Sequence, residues 1–196
     1  MGNKVKYNLS NVHYAEMTSA PETGEVSYKT PVPIPGAVSL SMEPTGDMST
    51  FYADGCAYYV VASNTGYEGD LELAMVPESF CRDILQETDD TNKVLLEYAN
   101  VETKSFALLF EFDGDVKKIR HVLYNCTASR PKIESATNEE EIEVKTEVLT
   151  IKASPNPKDM LVKARTSDAT TKESYDNWYK SVYVPNLSVA AKQGGA

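Results

Sequence analysis

Apolar and polar residues alternate with a period of two over much of this chain. Residues 37–42 set Val38, Leu40 and Met42 against Ser39 and Ser41, and residues 70–75 set Leu71, Leu73 and Met75 against Asp70, Glu72 and Ala74. Residues 105–112 bring Phe106, Leu108, Phe110 and Phe112 together and turn Ala107, Leu109 and Glu111 the other way. Strand side chains point alternately to two faces, so each run predicts a half-buried strand with one wet side. Residues 118–128 and 142–153 are longer and rich in β-branched side chains, which suits extended backbone. Asp113-Gly114 predicts a turn over 112–116, joining a hairpin with arms 105–112 and 116–128.

Helical spacing is scarce. Pro77 and Glu78 followed by Phe80, Ile84 and Leu85 predict one short helix over 78–86, with proline and an acidic residue at its start. Tyr175, Trp178, Tyr179 and Val182 recur at helical spacing, so a second helix is expected over 170–182, docked on a sheet by its aromatic stripe. Residues 19–36 carry four prolines and read as a connector rather than a central strand. Residues 43–49 and 63–69 read as glycine-containing turns, and 134–143 as an acidic loop running into a strand at Ile142. The end of the chain, 184–196, reads as an arm or a disordered tail. The fold class is therefore mainly β, a sandwich or barrel with one short flanking helix and a second, C-terminal one, in a single domain over 1–196.

Charge and composition narrow the function more than they define it. The chain has 29 acidic against 19 basic residues, a formal net charge of −10. A protein gripping nucleic acid by its phosphates needs the opposite balance. Lys117, Lys118 and Arg120 form the only tight basic cluster. No apolar run has the length of a secretory signal or a membrane span. Cys56, Cys81 and Cys126 are widely spaced and odd in number, which reads as reduced thiols rather than a disulfide framework.

Catalytic chemistry has little to build on. His13 and His121 have no Asp or Cys at an informative spacing, and no nucleophile elbow or phosphate-cradling loop occurs. Asp89-Asp90 and Glu139-Glu140-Glu141 read as solvated surface rather than cation ligands. No catalytic residue, cofactor or metal is expected. The twelve tyrosines, Tyr52, Tyr58 and Tyr59 among them, fit either an ordinary sandwich core or surfaces that are buried on assembly.

Three segments carry a family resemblance: NKVKYNLSNVHYAEM from Asn3, PVPIPGAVSLSMEPTGDMSTFYADG from Pro31, and YYVVASNTGYEGDLELAMVPESF from Tyr58. In that order, over residues 3–115, they resemble the major tail protein of long-tailed, non-contractile phages of Gram-positive hosts. The resemblance implies a tail-tube β-sandwich with a flanking helix, polymerised as stacked hexameric rings into a tube that conducts genomic DNA. It also implies the tape-measure protein and passing double-stranded DNA in the lumen, tail terminator and distal tail proteins as partners, and a place in the virion tail after synthesis in the host cytoplasm.

With that frame, Ser39, Ser41, Asp70 and Glu72 are expected to line the lumen; facing bulk solvent outside is the competing reading. Pro31, Pro33, Pro35, Glu43, Asp47, Met48, Pro185 and Leu187, in long segments poor in core residues, are expected at contacts between subunits or rings. An immunoglobulin-like adhesion module on a virion or cell surface is the alternative, and an enzyme whose site converges only in three dimensions stands behind it.

Overall fold

The structure, a computed structural model, describes residues 2–19, 25–135, 137 and 144–186. In chain order these form β1 (Lys6–Ser19), β2 (Val26–Tyr28), β3 (Val32–Pro33), β4 (Ala37–Thr45), β5 (Met48–Ala53), β6 (Cys56–Ala62) and β7 (Gly66–Leu73). There follow α1 (Glu78–Asp83), β8 (Thr88–Asp89), β9 (Leu95–Leu96), β10 (Phe106–Gly114), β11 (Ile119–Ala128), β12 (Glu147–Ser154), β13 (Lys163–Arg165) and α2 (Lys172–Asp176). No helix among the described residues is long and apolar enough to cross a membrane.

The main sheet runs β2-β1-β10-β11-β12-β7-β4, with β3 also on β1 and β13 also on β11. Its turning point is β11, which pairs its start, His121–Leu123, with β13 and its end, Asn125–Ala128, with β12. Beyond that point β12, β7 and β4 fold back over β10 and β1, and β4 comes to lie beside β1. Leu71, Leu73, Leu149 and Ile151 of the returning layer meet Val12, Tyr14, Phe106, Leu108, Phe110 and Leu123 of the first, forming the main core. Phe80, Ile84 and Leu85, in and just after α1, plug one end of that core. The predicted sandwich is present, with its short helix ending at Asp83 rather than 86.

A second core covers the other side of β1, β10 and β11. Trp178 and Val182 pack on Ala15, Ala107, Leu109, Val122 and Tyr124. The C-terminal aromatic stripe thus docks on the sheet as its spacing implies, although only five residues of it are helical. Its consequence is a correction: β10 has no wet side. Ala107 and Leu109 lie under the C-terminal segment, and Glu111 is fully buried.

Other sequence expectations shift for local reasons. A bulge at Val38 steps the pairing from Ala37↔Leu73 to Ser39↔Glu72, so Val38 leaves the inward row of Leu40 and Met42 and is 52% exposed. Met75 lies beyond the end of β7 and is exposed. Asp113 and Gly114 extend β10 by pairing with Tyr7 and Lys6 of β1, so the hairpin loop comes later, at 115–118. The strand expected over 142–153 starts at Glu147, and 142–143 lie outside the described residues. The proline-rich connector folds back on β1 as β2 and β3 and places Ile34 in the main core, so it is not poor in core residues.

One buried carboxylate ties the layers together. Glu111 accepts from Lys118 Nζ at 2.8 Å, Arg120 Nε at 3.1 Å, Asn11 Nδ2 at 2.6 Å and Tyr179 OH at 3.3 Å. Burial would raise its pKa, but the hydrogen bonds from Lys118 and Asn11 and the charges of Lys118 and Arg120 outweigh that and hold it below the ordinary 4.5. Arg120 stacks in turn on Tyr175, 3.8 Å from the ring centroid. The one basic cluster of the sequence is thereby largely spent inside the protomer.

Removing one partner of such a buried pair strands the other, so Glu111→Ala is expected to cost about 3–5 kcal/mol in denaturant unfolding. A folded-state pKa below the unfolded one gives stability that is complete at neutral pH and lost as pH falls below 4.5 through the folded value. Melting temperature measured from pH 7 to 3 is expected to decline less steeply in Glu111→Gln than in the wild type.

Candidate functional site

The outward face of β4, β7 and β12 assembles from cross-strand rows. Ser39, Glu72 and Val148 form one row, Ser41, Asp70 and Thr150 the next, and Glu43, Glu68 and Lys152 the third. The four residues expected along a lumen therefore share one sheet face, brought into register by the Val38 bulge. Ser39 Oγ donates to Glu72 Oε2 at 2.8 Å, Thr146 Oγ1 to Glu72 Oε1 at 2.7 Å, and Thr150 Oγ1 to Asp70 Oδ1 at 2.8 Å. Hydrogen bonds from Thr146 and then Ser39 hold the Glu72 carboxyl below its usual range. Four carboxylates against Lys152 leave this face anionic at neutral pH, and hydroxyl donors hold two of them, Asp70 and Glu72, in place.

At Gly69 the backbones of β7 and β4 meet so closely that an added Cβ would sit 1.8 Å from the Ser41 carbonyl oxygen. The glycine of the Gly-Asp step is thus what lets Asp70 stand opposite Ser41.

From the same two strands grows a hairpin that no other element among the described residues covers. The β4–β7 ladder continues through Thr65 N–H to Thr45 O at 2.9 Å and Ser63 N–H to Asp47 O at 3.0 Å into the β5–β6 pair. Its tip is Asp54-Gly55, both with positive φ (52° and 76°), the backbone a two-residue hairpin turn requires. Residues 48–62 hold a single charged side chain, Asp54. Phe51, Tyr52, Tyr58 and Tyr59 are each more than 60% exposed, and Val60 and Val61 nearly half. Met48 is among the residues expected at contacts, and the tyrosines, which fit either a core or an assembly surface, prove to lie outside the core; the hairpin itself, signalled by Asp54-Gly55, is not among the sequence expectations.

The other contact expectations scatter. Glu43 and Asp47 are exposed at the hairpin base, and Met48, 75% exposed, opens β5. Pro33 and Pro35 are exposed along β1, whereas Pro31 is buried within the protomer and offers no outer surface. Pro185 borders a crevice with Tyr28 and Tyr124, and Leu187 lies outside the described residues.

The residues of catalytic interest are used in packing. His13 Nδ1 donates to the Asn11 carbonyl oxygen at 2.8 Å, and the ring lies against Tyr179. His121 stacks on Phe110, and the groove beside it is lined by Lys6 and Lys163 with no carboxylate. Burial pushes the Cys81 thiol to about 11 and Cys126 to about 12, while Cys56 is exposed at the hairpin tip. No group of three or more His, Cys, Asp or Glu able to hold a metal occurs among the described residues.

A family model described as phage tail tube protein matches residues 3–180. No curated protein matches the chain.

Gly69→Ala is expected to force β4 from β7 and cost about 1–3 kcal/mol in unfolding free energy. By contrast, Asp70→Asn, on the open face, is expected to change it by no more than about 0.5 kcal/mol.

Proposed function

The chain belongs to the phage tail tube protein family, and from that membership we propose that it polymerises as stacked hexameric rings into the tail tube of a long-tailed, non-contractile phage of a Gram-positive host. As a member of that family it is a structural protein of the virion tail. In the proposed tube the outward face of β4, β7 and β12 lines the bore, and genomic DNA passes along it during ejection.

The observation that carries the polymerisation is the β5–β6 hairpin. A two-stranded hairpin alone in water is marginal, and one with apolar side chains on both faces is poorer still. Its large rings each gain about 1.5–3 kcal/mol when buried. Near-absence of charge over residues 48–62, in a chain of net −10, is the composition of an interface core. An adhesion module working as a monomer has no use for such an uncovered surface. Six copies would bring together a formal charge of about −60, so this apolar gain is what opposes their repulsion.

The anionic sheet face supports the choice of bore. Duplex DNA carries a negative charge about every 1.7 Å of its axis, and a cationic wall would hold it. Asp70, Glu72 and their hydroxyl neighbours give it nothing to bind. Tape-measure, tail terminator and distal tail proteins complete the proposed set of partners.

Purified protein is expected to form rings and tubes in negative-stain images, and protein that stays monomeric at high concentration would sink the polymerisation. Phe51→Ser combined with Tyr59→Ser is expected to leave the protomer's melting temperature unchanged and shift sedimentation to the monomer. Tubes formed equally well by this variant would remove the hairpin from the interface. In phage, Asp70→Lys with Glu72→Lys is expected to leave tail length normal and slow DNA release at least tenfold; release at the wild-type rate would take this face out of the bore.

A further inference from the structure

At the edge of the second core, β2 and the 155–162 loop between β12 and β13 face each other across a crevice of about 320 Å³. Val26 and Tyr28 of β2 line one side, and Asn156, Lys158 and Leu161 the other. Tyr28 and Leu161 already pack against the second core, and Lys158 Nζ lies 3.6 Å from Glu25 Oε1, joining the two sides. Among the described residues β2 pairs with β1 alone, so its other edge is open.

The residues around this crevice do not complete it. The Tyr28 hydroxyl is buried yet has no hydrogen-bond partner among the described residues. Its neighbour Tyr124, the ring 6.3 Å away, donates to Tyr183 O at 2.8 Å. Burial, then the Asp159 charge, push the Tyr28 pKa up, so its proton stays on the oxygen and is available to an acceptor. A buried hydroxyl without a partner carries its full desolvation cost, which an acceptor within reach removes.

The chain brings such an acceptor to the spot. The Tyr124–Tyr183 bond pins the backbone beside the crevice, and the next three residues, Val184, Pro185 and Asn186, line it. Beyond Asn186 the sequence reads Leu187-Ser188-Val189-Ala190-Ala191, free of charge until Lys192. Leucine and valine alternate there with small residues, the period of a strand with one apolar side. We propose that residues 187–191 fold back into the crevice of their own protomer. Leu187 packs there against Leu161 and Tyr124, and a main-chain carbonyl of the segment accepts from Tyr28 OH. Leu187 directly follows a residue that already lines the site, so its effective concentration exceeds that of any segment brought by a second copy. The docked segment is a clasp between β2 and the 155–162 loop, and it takes Leu187 out of the contacts between copies. The inference goes beyond the assembly reading and does not depend on it.

Hydrogen exchange on the full chain, read on the protomer before any tube forms, tests the docking. The amides of 187–191 are expected to exchange at least about tenfold more slowly than in a free peptide of that sequence. Leu187→Asp, which puts a charge into the crevice, is expected to abolish that protection. A cysteine pair, Val26→Cys with Leu187→Cys in a Cys56→Ser background, gives a second reading. Treated with oxidised glutathione, it is expected to form a disulfide within one chain, seen as a monomer on a non-reducing gel. Unprotected amides, protection that survives Leu187→Asp, or protection that appears only in tubes would each overturn the inference. Disulfide-linked dimers in place of monomers would overturn it too, by giving the crevice to a neighbour's segment. A protein that never polymerises fails the assembly reading and leaves this test intact; tubes built from protomers with unprotected 187–191 do the reverse.

Discussion

β10 is buried on both of its faces, and that constraint organises everything around it. One face needs the returning layer of β12, β7 and β4; the other needs Trp178, Val182 and their neighbours. Once both covers are in place, residues 106–111 of β10 have no surface left to offer. The charged residue at its margin, Glu111, is then forced to find its partners inside, and it collects Lys118, Arg120, Asn11 and Tyr179. What remains for contact with the world is the outer face of the second layer, the two ends and the hairpin that the second layer extends.

The distribution of charge follows from that arrangement. Basic residues near the middle of the sandwich are consumed as counterions: Lys118 and Arg120 by Glu111, Lys29 and Lys104 by Glu16. Lys6, Lys117 and Lys163, by contrast, sit on aromatic rings, which screen them far less than a carboxylate would. The acidic excess appears on the second layer's outer face and on the α1 end. A net charge of −10 therefore describes the molecule poorly. Its surface includes an anionic sheet face and an almost uncharged hairpin, and each suits a different neighbour.

How much of this was legible in the sequence depended on whether a residue's fate was local. Ser39, Ser41, Asp70 and Glu72 could be grouped because alternation within a strand decides which side a residue takes, and adjacent strands inherit each other's sides. Val38, which the same alternation groups with Leu40 and Met42, leaves their row because a bulge is decided by the partner strand's register. Ala107 and Leu109 were assigned to a wet face because their cover comes from residues some seventy positions away; their apolar character was the available warning. The proline-rich segment read as a connector because X-Pro steps disfavour central strands, yet edge pairing on β1 asks less of the backbone and accommodates Val32 and Pro33. Segments 48–53 and 56–62 lack an alternating pattern, since neither side of the hairpin is wet by design, and periodicity is silent where both faces are apolar.

That silence is itself informative about energetics. A strand pair whose faces are both apolar has no reason to fold from its own solvent contrast, so its order here is borrowed from β4 and β7, whose ladder it continues through Thr45, Asp47, Ser63 and Thr65. The close approach at Gly69 and the pairing of β7 with β12 fix that base firmly in the core layers. The hairpin is thus held out by the protomer without being stabilised by side-chain packing from it, which leaves its rings free to gain their burial energy from a neighbour. A protomer folded this way carries a preformed extension whose ordering cost falls on intramolecular folding rather than on association, and an interface built on such an extension gives up less entropy when it closes.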